Sequence, residues 1–281
     1  MFMKLGVIGY PLGHTLSPVF QQAALDHLKI EGEFKAIPVT PNKLTDFIKS
    51  MKKENINSVC VTIPHKESVI NLIDECDQEA LKIGAVNWVI NQNGILKGFN
   101  TDYLGFLKSL NHETGFSPFG KTATIFGAGG SCKAVSHGLK LEGLSKLIII
   151  NRTKFKADEI ARNLKSNNFE TIALNTEDSR INNYLMESNL IVNTTSLGMS
   201  GGPDPDNDLI SSYEIQPGTV GYDLVYSPKE TPFLKKIRDK KGISASGLSM
   251  LVFQGIEGFK LSTGIDPPEK LMLDITNSVS L

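Results

Sequence analysis

Short β-branched apolar runs alternate along this chain with stretches whose apolar residues recur three and four positions apart. Residues 4–9 read as a strand, and beyond the turn Tyr10-Pro11-Leu12-Gly13 the residues Val19, Phe20, Ala23, Ala24 and Leu28 carry helical spacing. Residues 34–39 predict a second strand, 42–52 a helix with lysines on its solvent side, and Val59, Val61 and Ile63 a third, buried strand. A short helix over 77–83 ends at Gly84. Residues 86–90 and 95–99 then form a hairpin around Asn93-Gly94, expected to close the first sheet. After a non-periodic linker at 111–120 the pattern resumes with strands at 121–126, 147–150, 171–174, 190–193 and 220–226. Helices are predicted through Ala134 to Leu141 and over 154–164, 231–241, 248–261 and 267–278. Strands that alternate with helices predict largely parallel sheets, hence an α/β fold.

Composition narrows the partners. With 281 residues, two domains are expected. A net charge of -1, with 21% charged and 40% hydrophobic residues, offers no field for nucleic acid or an anionic membrane, so the expected partner is a small molecule. The opening apolar stretch is too short and glycine-broken for a signal sequence, which predicts a cytoplasmic protein. Cys60, Cys76 and Cys132 form no C-x-x-C pair and the five histidines no metal spacing; no metal is expected, and each thiol reads as a small core residue.

The polar residues that matter lie where apolar runs end. Val61-Thr62-Ile63-Pro64-His65-Lys66 delivers a lysine past a strand end, with Pro64 suited to the first turn of a following helix. In open α/β sheets that edge binds ligands. Ser17-Pro18 is a helix start with serine in the N-cap position, and Thr15 adds a second hydroxyl to the loop. Asp102 precedes another helical run, where an aspartate either caps or serves as a lysine's partner. Further on, strand, Gly127-Ala128-Gly129-Gly130-Ser131 and helix form the context in which backbone N–H groups face a pyrophosphate, although Cys132 stands where a strict G-x-G-x-x-G needs glycine. About 20 residues past these glycines an NAD protein carries an acid. Here Asn151, Arg152, Thr153 and Lys156 supply donors and positive charge suited to a ribose 2′-phosphate, which favours NADP, even with Thr153 as a helix cap.

Eight segments in order resemble the shikimate dehydrogenase family over nearly the whole chain: residues 9–18, 61–66, 84–87, 98–102, 127–131, 151–153, 193–199 and 250–255. The resemblance implies an N-terminal mixed, mostly parallel α/β substrate domain (1–102 and 247–281), a Rossmann-like NADP-binding domain (103–246), and a cleft between them. It implies NADPH-linked reduction of 3-dehydroshikimate to shikimate in aromatic amino-acid synthesis, by a monomer or homodimer, with Lys66 and Asp102 as the catalytic pair. By the same likeness Thr15, Ser17, Thr62, Asn87, Tyr226 and Gln254 would hold the substrate, Thr194 would contact the cofactor, and Leu224 and Gly247 would border the nicotinamide. Gln254 must return to the first domain, so the last two helices are expected to pack there.

Five positions depart from the family. Thr15 replaces the usual serine, Gln21-Gln22 the usual His-Asn, Cys60 an asparagine and Trp88 a threonine. An added methyl at Thr15, or a large ring beside Asn87, is able to retune the pocket toward quinate or another ring acid, so a quinate or dual-specificity dehydrogenase stays open as an alternative. A catalytically silent NADP-binding sensor has no use for Lys66, Asp102 and Gln254 together.

Overall fold

A computed structural model describes residues 2–13 and 15–279; His14 of the first motif and the predicted domain ends at 1 and 280–281 lie outside them. The chain divides into two units, one running to Gly105 and resuming at Leu251, the other from Phe106 to Met250.

In the first unit β1 (Met3–Gly9) lies between β2 (Gly32–Pro38) and β3 (Ser58–Val61), parallel to both. The crossovers carry α1 (Ser17–His27) and α2 (Leu44–Lys53). Next in the chain come β4 (Glu75–Cys76), α3 (Gln78–Ile83), β5 (Trp88–Gln92) and β6 (Ile95–Phe99), and the sheet order is β2-β1-β3-β5-β6-β4. The hairpin β5–β6 is antiparallel as expected, but it does not close the sheet. The two-residue β4 pairs in parallel outside it, a strand too short to leave a period in the sequence. Side chains alternate faces: Leu5, Val7, Cys60 and Trp88 enter one apolar cluster, Ile8, Val59, Val61 and Val89 another. The first is covered by α1 and by the part of α9 (Leu248–Thr263) that bears Val252, Phe253, Ile256 and Phe259. The last helix, α10 (Glu269–Ser278), packs on α1.

The second unit follows α4 (Asp102–Thr114) with β7 (Thr122–Phe126), α5 (Gly130–Leu141), β8 (Lys146–Ile150), α6 (Lys154–Leu164), β9 (Glu170–Leu174) and α7 (Ile181–Glu187). Then come β10 (Leu190–Asn193), β11 (Val220–Asp223), α8 (Pro232–Asp239) and β12 (Ile243–Ser246). All neighbours pair in parallel in the order β12-β11-β10-β7-β8-β9, the doubly wound arrangement whose direction reverses between β7 and β10. Leu147 and Ile149 face one apolar cluster, Ile148 and Ile150 the other. Burial on both faces explains why β8 reads as an unbroken apolar run.

Candidate active site

Lys66 owes its position to the turn that ends β3. Thr62 N donates to Ile8 O, His65 N to Thr62 O, and the buried His65 ring contacts Val39 O through Nε2 at 2.6 Å. Ile63-Pro64 is a cis peptide, and no helix starts at Pro64 as expected; a 3-10 turn follows only at Ser68–Leu72. Val86 N donates to Lys66 O, so the lysine's backbone is tied to the segment that leads through Asn87 into β5. The side chain is 14% exposed, and Nζ lies 2.6 Å from Asp102 Oδ2.

Asp102 opens α4, where its charge also suits the helix N-terminus. Its oxygens are engaged in the site: Oδ2 meets Lys66 and Oδ1 accepts from Asn87 Nδ2 at 2.9 Å, while its own N–H donates to Asn100 Oδ1. The buried Asn87 is the centre of this wiring. Its Oδ1 accepts from Thr101 N at 2.7 Å, and its Nδ2 also reaches Thr101 Oγ1 at 2.9 Å and Gln254 Oε1 at 3.2 Å. Thr101 Oγ1 donates to Gln254 O, and Gln254 Nε2 to Leu251 O. Contact between α4 and α9 is close enough that a Cβ at Gly105 would lie 2.6 Å from Gln254 N. On the far side of α9, Gln21 Nε2 donates to Gly255 O, and its buried Oε1 has no hydrogen-bond partner among the described residues.

Ser17 does not cap α1. It is the first helical residue, Leu16 occupies the N-cap position, and no side chain caps the end. Ser17 is buried and Thr15 half-buried on the loop after β1, whose end neighbours that of β3 through Tyr10 N to Ile63 O at 3.0 Å. Trp88 departs from expectation most. Alternation along β5 turns it away from the face of Asn87 into the core, where it packs on Gly258 and its Nε1 donates to Ser262 Oγ at 2.8 Å. The register pairs it with Cys60, so two departures from the family are cross-strand neighbours in one apolar layer. Burial pushes the Cys60 thiol up to about 12, with Lys66 opposing and Asp102 reinforcing, so this thiol stays protonated. Cys132 is also buried; Cys76 is only half-buried, at the sheet edge beside β6 rather than in the core. Among the described residues no group of His, Cys, Asp or Glu could hold a metal ion, and no helix is long and apolar enough to cross a membrane.

The second unit gathers its own set at the carboxyl ends of β7, β8, β10 and β11. Gly127 adopts φ +107 where the sheet direction reverses, and a Cβ there would lie 2.5 Å from Thr194 Oγ1, which donates to Phe126 O. Gly129 stands at the N-cap of α5 with no side-chain bond, so the first-turn N–H groups around Gly130 and Ser131 are open to an anion, with Ala128 buried beneath. This turn fits a dinucleotide pyrophosphate. At the end of β8, Arg152, Thr153 and Lys156 are exposed, and Asn151 Nδ2 donates to Thr153 O. Thr153 occupies the N-cap position of α6, but its side chain makes no cap bond. Gly247 packs against the backbone of Leu224, and Tyr226 follows on the same loop. Thr101, which bonds to Asn87 and Gln254, and Asn193, whose Nδ2 donates to Asp223 Oδ1 at 2.9 Å, drew no role from the sequence, nor did Asp223; their only signal is a polar side chain closing an apolar run.

Comparison with known proteins agrees along the chain. A family model described as shikimate dehydrogenase substrate binding domain matches residues 7–89, and one described as shikimate / quinate 5-dehydrogenase matches residues 112–198. The shikimate dehydrogenase (NADP(+)) of Alkaliphilus metalliredigens is 39% identical over 94% of this chain and 92% of its own. The crystal structure of shikimate dehydrogenase from Aquifex aeolicus is 35% identical, with TM-score 0.87 over 99% of this chain and 98% of that one. That of the Thermus thermophilus enzyme, in complex with NADP(H) and shikimate, is 31% identical, with TM-score 0.82 over 98% of each chain. Sequence, fold and wired ion pair thus agree, and this chain belongs to the shikimate dehydrogenase family.

Proposed function

We infer that this chain is an NADP-dependent oxidoreductase that reduces 3-dehydroshikimate to shikimate, and runs the reverse, in aromatic amino-acid synthesis. The observation that carries the reading is the Lys66–Asp102 pair at 2.6 Å, joined through Asn87 to Gln254. NADPH, when bound, supplies the hydride. Reduction of a ring ketone leaves negative charge on its oxygen, which needs a proton donor within hydrogen-bond reach, and Lys66 Nζ is that donor. Asp102 holds the ammonium in place and Asn87 holds Asp102. Gln254, wired to the same amide, presents its carboxamide to the substrate hydroxyls. Thr15 and Ser17 take the substrate carboxylate, with Thr62 beside them at the end of β3, and Tyr226 is assigned to the substrate as well. Gly127 to Ser131 hold the pyrophosphate, Asn151, Arg152, Thr153 and Lys156 the 2′-phosphate, and Thr194, Leu224 and Gly247 the nicotinamide end. Trp88 lies in the core, which removes one reason to favour quinate. The free thiols Cys60, Cys76 and Cys132 support a reducing, cytoplasmic setting.

The test is nicotinamide absorbance with purified protein against shikimate and quinate, each with NADP and with NAD. Turnover with shikimate and NADP is expected to dominate. Faster turnover with quinate would replace the substrate, and silence in every combination would leave a sensor. Arg152→Ala is expected to raise KM for NADPH about 10- to 100-fold, as loss of hydrogen bonds to a charged group worth about 1.5–3 kcal/mol implies. KM for NADH should hardly move; equal effects on both would remove the 2′-phosphate contact. Gly105→Ala forces its methyl against Gln254 N, so overpacking is expected to destabilise by about 1–3 kcal/mol. KM for shikimate should rise while NADPH affinity holds, and an unchanged KM would detach Gln254 from the substrate.

A further inference from the structure

Residues 194–197 follow β10 and residues 224–231 follow β11, and one carboxylate joins these two loops. Asp223, buried at the end of β11, accepts from Asn193 Nδ2 at 2.9 Å and Val225 N at 3.0 Å through Oδ1, and from Thr231 Oγ1 at 2.6 Å through Oδ2. Its partners are fixed in turn. Asn193 accepts from Thr195 N and Oγ1 and donates to Leu197 O; Thr231 Oγ1 accepts from Leu234 N and so caps α8. One loop carries Leu224 and Tyr226. The other begins with Thr194, bonded to the strand end that opens the Gly127 turn.

We propose that Asp223 is a positioning residue for the cofactor: its ionised form holds both loops in the arrangement that takes up NADPH, its protonated form loosens them, and NADPH affinity follows this one ionisation. The proposal rests on the reading of the chain as an NADP-dependent enzyme.

The groups that face the carboxylate are neutral donors: the Asn193 carboxamide, the Val225 amide and the Thr231 hydroxyl at the start of α8. The neighbouring titratable group on its own strand is Tyr222, whose phenol burial pushes upward, so it stays neutral. An ionised Asp223 accepts all three bonds. A protonated one donates through Oδ2, which turns the Thr231 hydroxyl from donor to acceptor, and all three contacts lose the charge assistance that roughly doubles such bonds. Burial pushes the Asp223 carboxyl up to about 7, against the opposing bonds from Thr231, Val225 and Asn193, so both forms exist near neutrality. The sign for stability is opposite to that for binding. Unfolded aspartate titrates near ~3.9, so the folded chain holds this proton longer and the ligand-free protein loses stability as pH rises from about 4 through about 7. NADPH affinity rises over the upper part of that window.

Asp223→Asn keeps the shape, carries a fixed donor and imitates the protonated form at every pH. NADPH titration followed by cofactor fluorescence, from about pH 6 to about pH 8, is expected to tighten about three- to tenfold more for wild type than for the variant. Comparing the two cancels the ionisation of the cofactor's own phosphate. Urea unfolding without ligand should show wild type losing more stability than the variant over the same range. Superimposable NADPH curves overturn the proposal alone; no NADPH binding by either protein overturns the dehydrogenase reading with it. Should the variant not fold, infrared titration of wild type replaces it. The carboxyl titrating near 7 must then shift to lower pH when NADPH saturates the protein, because linkage is reciprocal, and an unmoved midpoint overturns the proposal.

Discussion

Lys66→Ala is expected to lower kcat for shikimate oxidation by about 10²-fold or more, the usual range for a lost general acid–base, with NADPH affinity unchanged. Alanine alone would not separate a charge from a proton donor. Lys66→Arg does, because a guanidinium keeps the ion pair with Asp102 but holds its proton at any working pH. Both variants should therefore be slow, and the arginine variant should retain more stability. Full turnover by Lys66→Arg would demote the lysine to an electrostatic role. The measurement is steady-state kinetics beside fluorescence titration with NADPH, so that a fall in kcat is read against intact cofactor binding.

Asp102→Asn acts on the same pair from the other side and on stability as well. The carboxylate side chain is 5% exposed and Lys66 14%, so neutralising one partner leaves an ammonium with little water to replace it. Loss of one member of a buried pair costs about 3–5 kcal/mol, and the remaining exposure of Lys66 places this case toward the lower end. Asparagine also sets one of its N–H groups against Lys66 Nζ or against Asn87 Nδ2, both donors, so Gln254 loses its alignment through the shared amide. A fall in kcat of about 10²-fold is expected together with a lower urea midpoint. Lys66→Met with Asp102→Leu should recover much of that stability, since an apolar pair replaces an ionic one without leaving a lone charge, and should stay inactive. A double variant less stable than Asp102→Asn would show that the pair contributes to stability beyond mutual neutralisation.

Much of the local order was legible in advance for a simple reason. Strand and helix signals depend on residues a few positions apart, so the runs at β1, β3, β7 and β8, the stop at Gly84 and the Asn-Gly turn were readable directly. The structure departs from these local signals where a competing contact decides. Pro64 fits a helix start by itself, but the backbone bond from His65 N and the ring contact with Val39 O hold a tight turn there. Ser17 fits an N-cap, but the helix begins at Ser17 itself. Trp88 reads as a pocket residue because it follows Asn87, but strand alternation sends consecutive side chains to opposite faces.

By itself, then, the amino-acid order determined which segments become strands and helices, which polar residues stand at the strand ends, and which nucleotide the charge after β8 suits. Only the tertiary structure decided which of those polar residues meet. Asn87 and Gln254 are 167 positions apart, Lys66 and Asp102 36, and no periodicity spans such distances. Sheet order, strand register and the close approach at Gly105 bring them together, because a buried amide or carboxylate is stable only where folding supplies its hydrogen-bond partners.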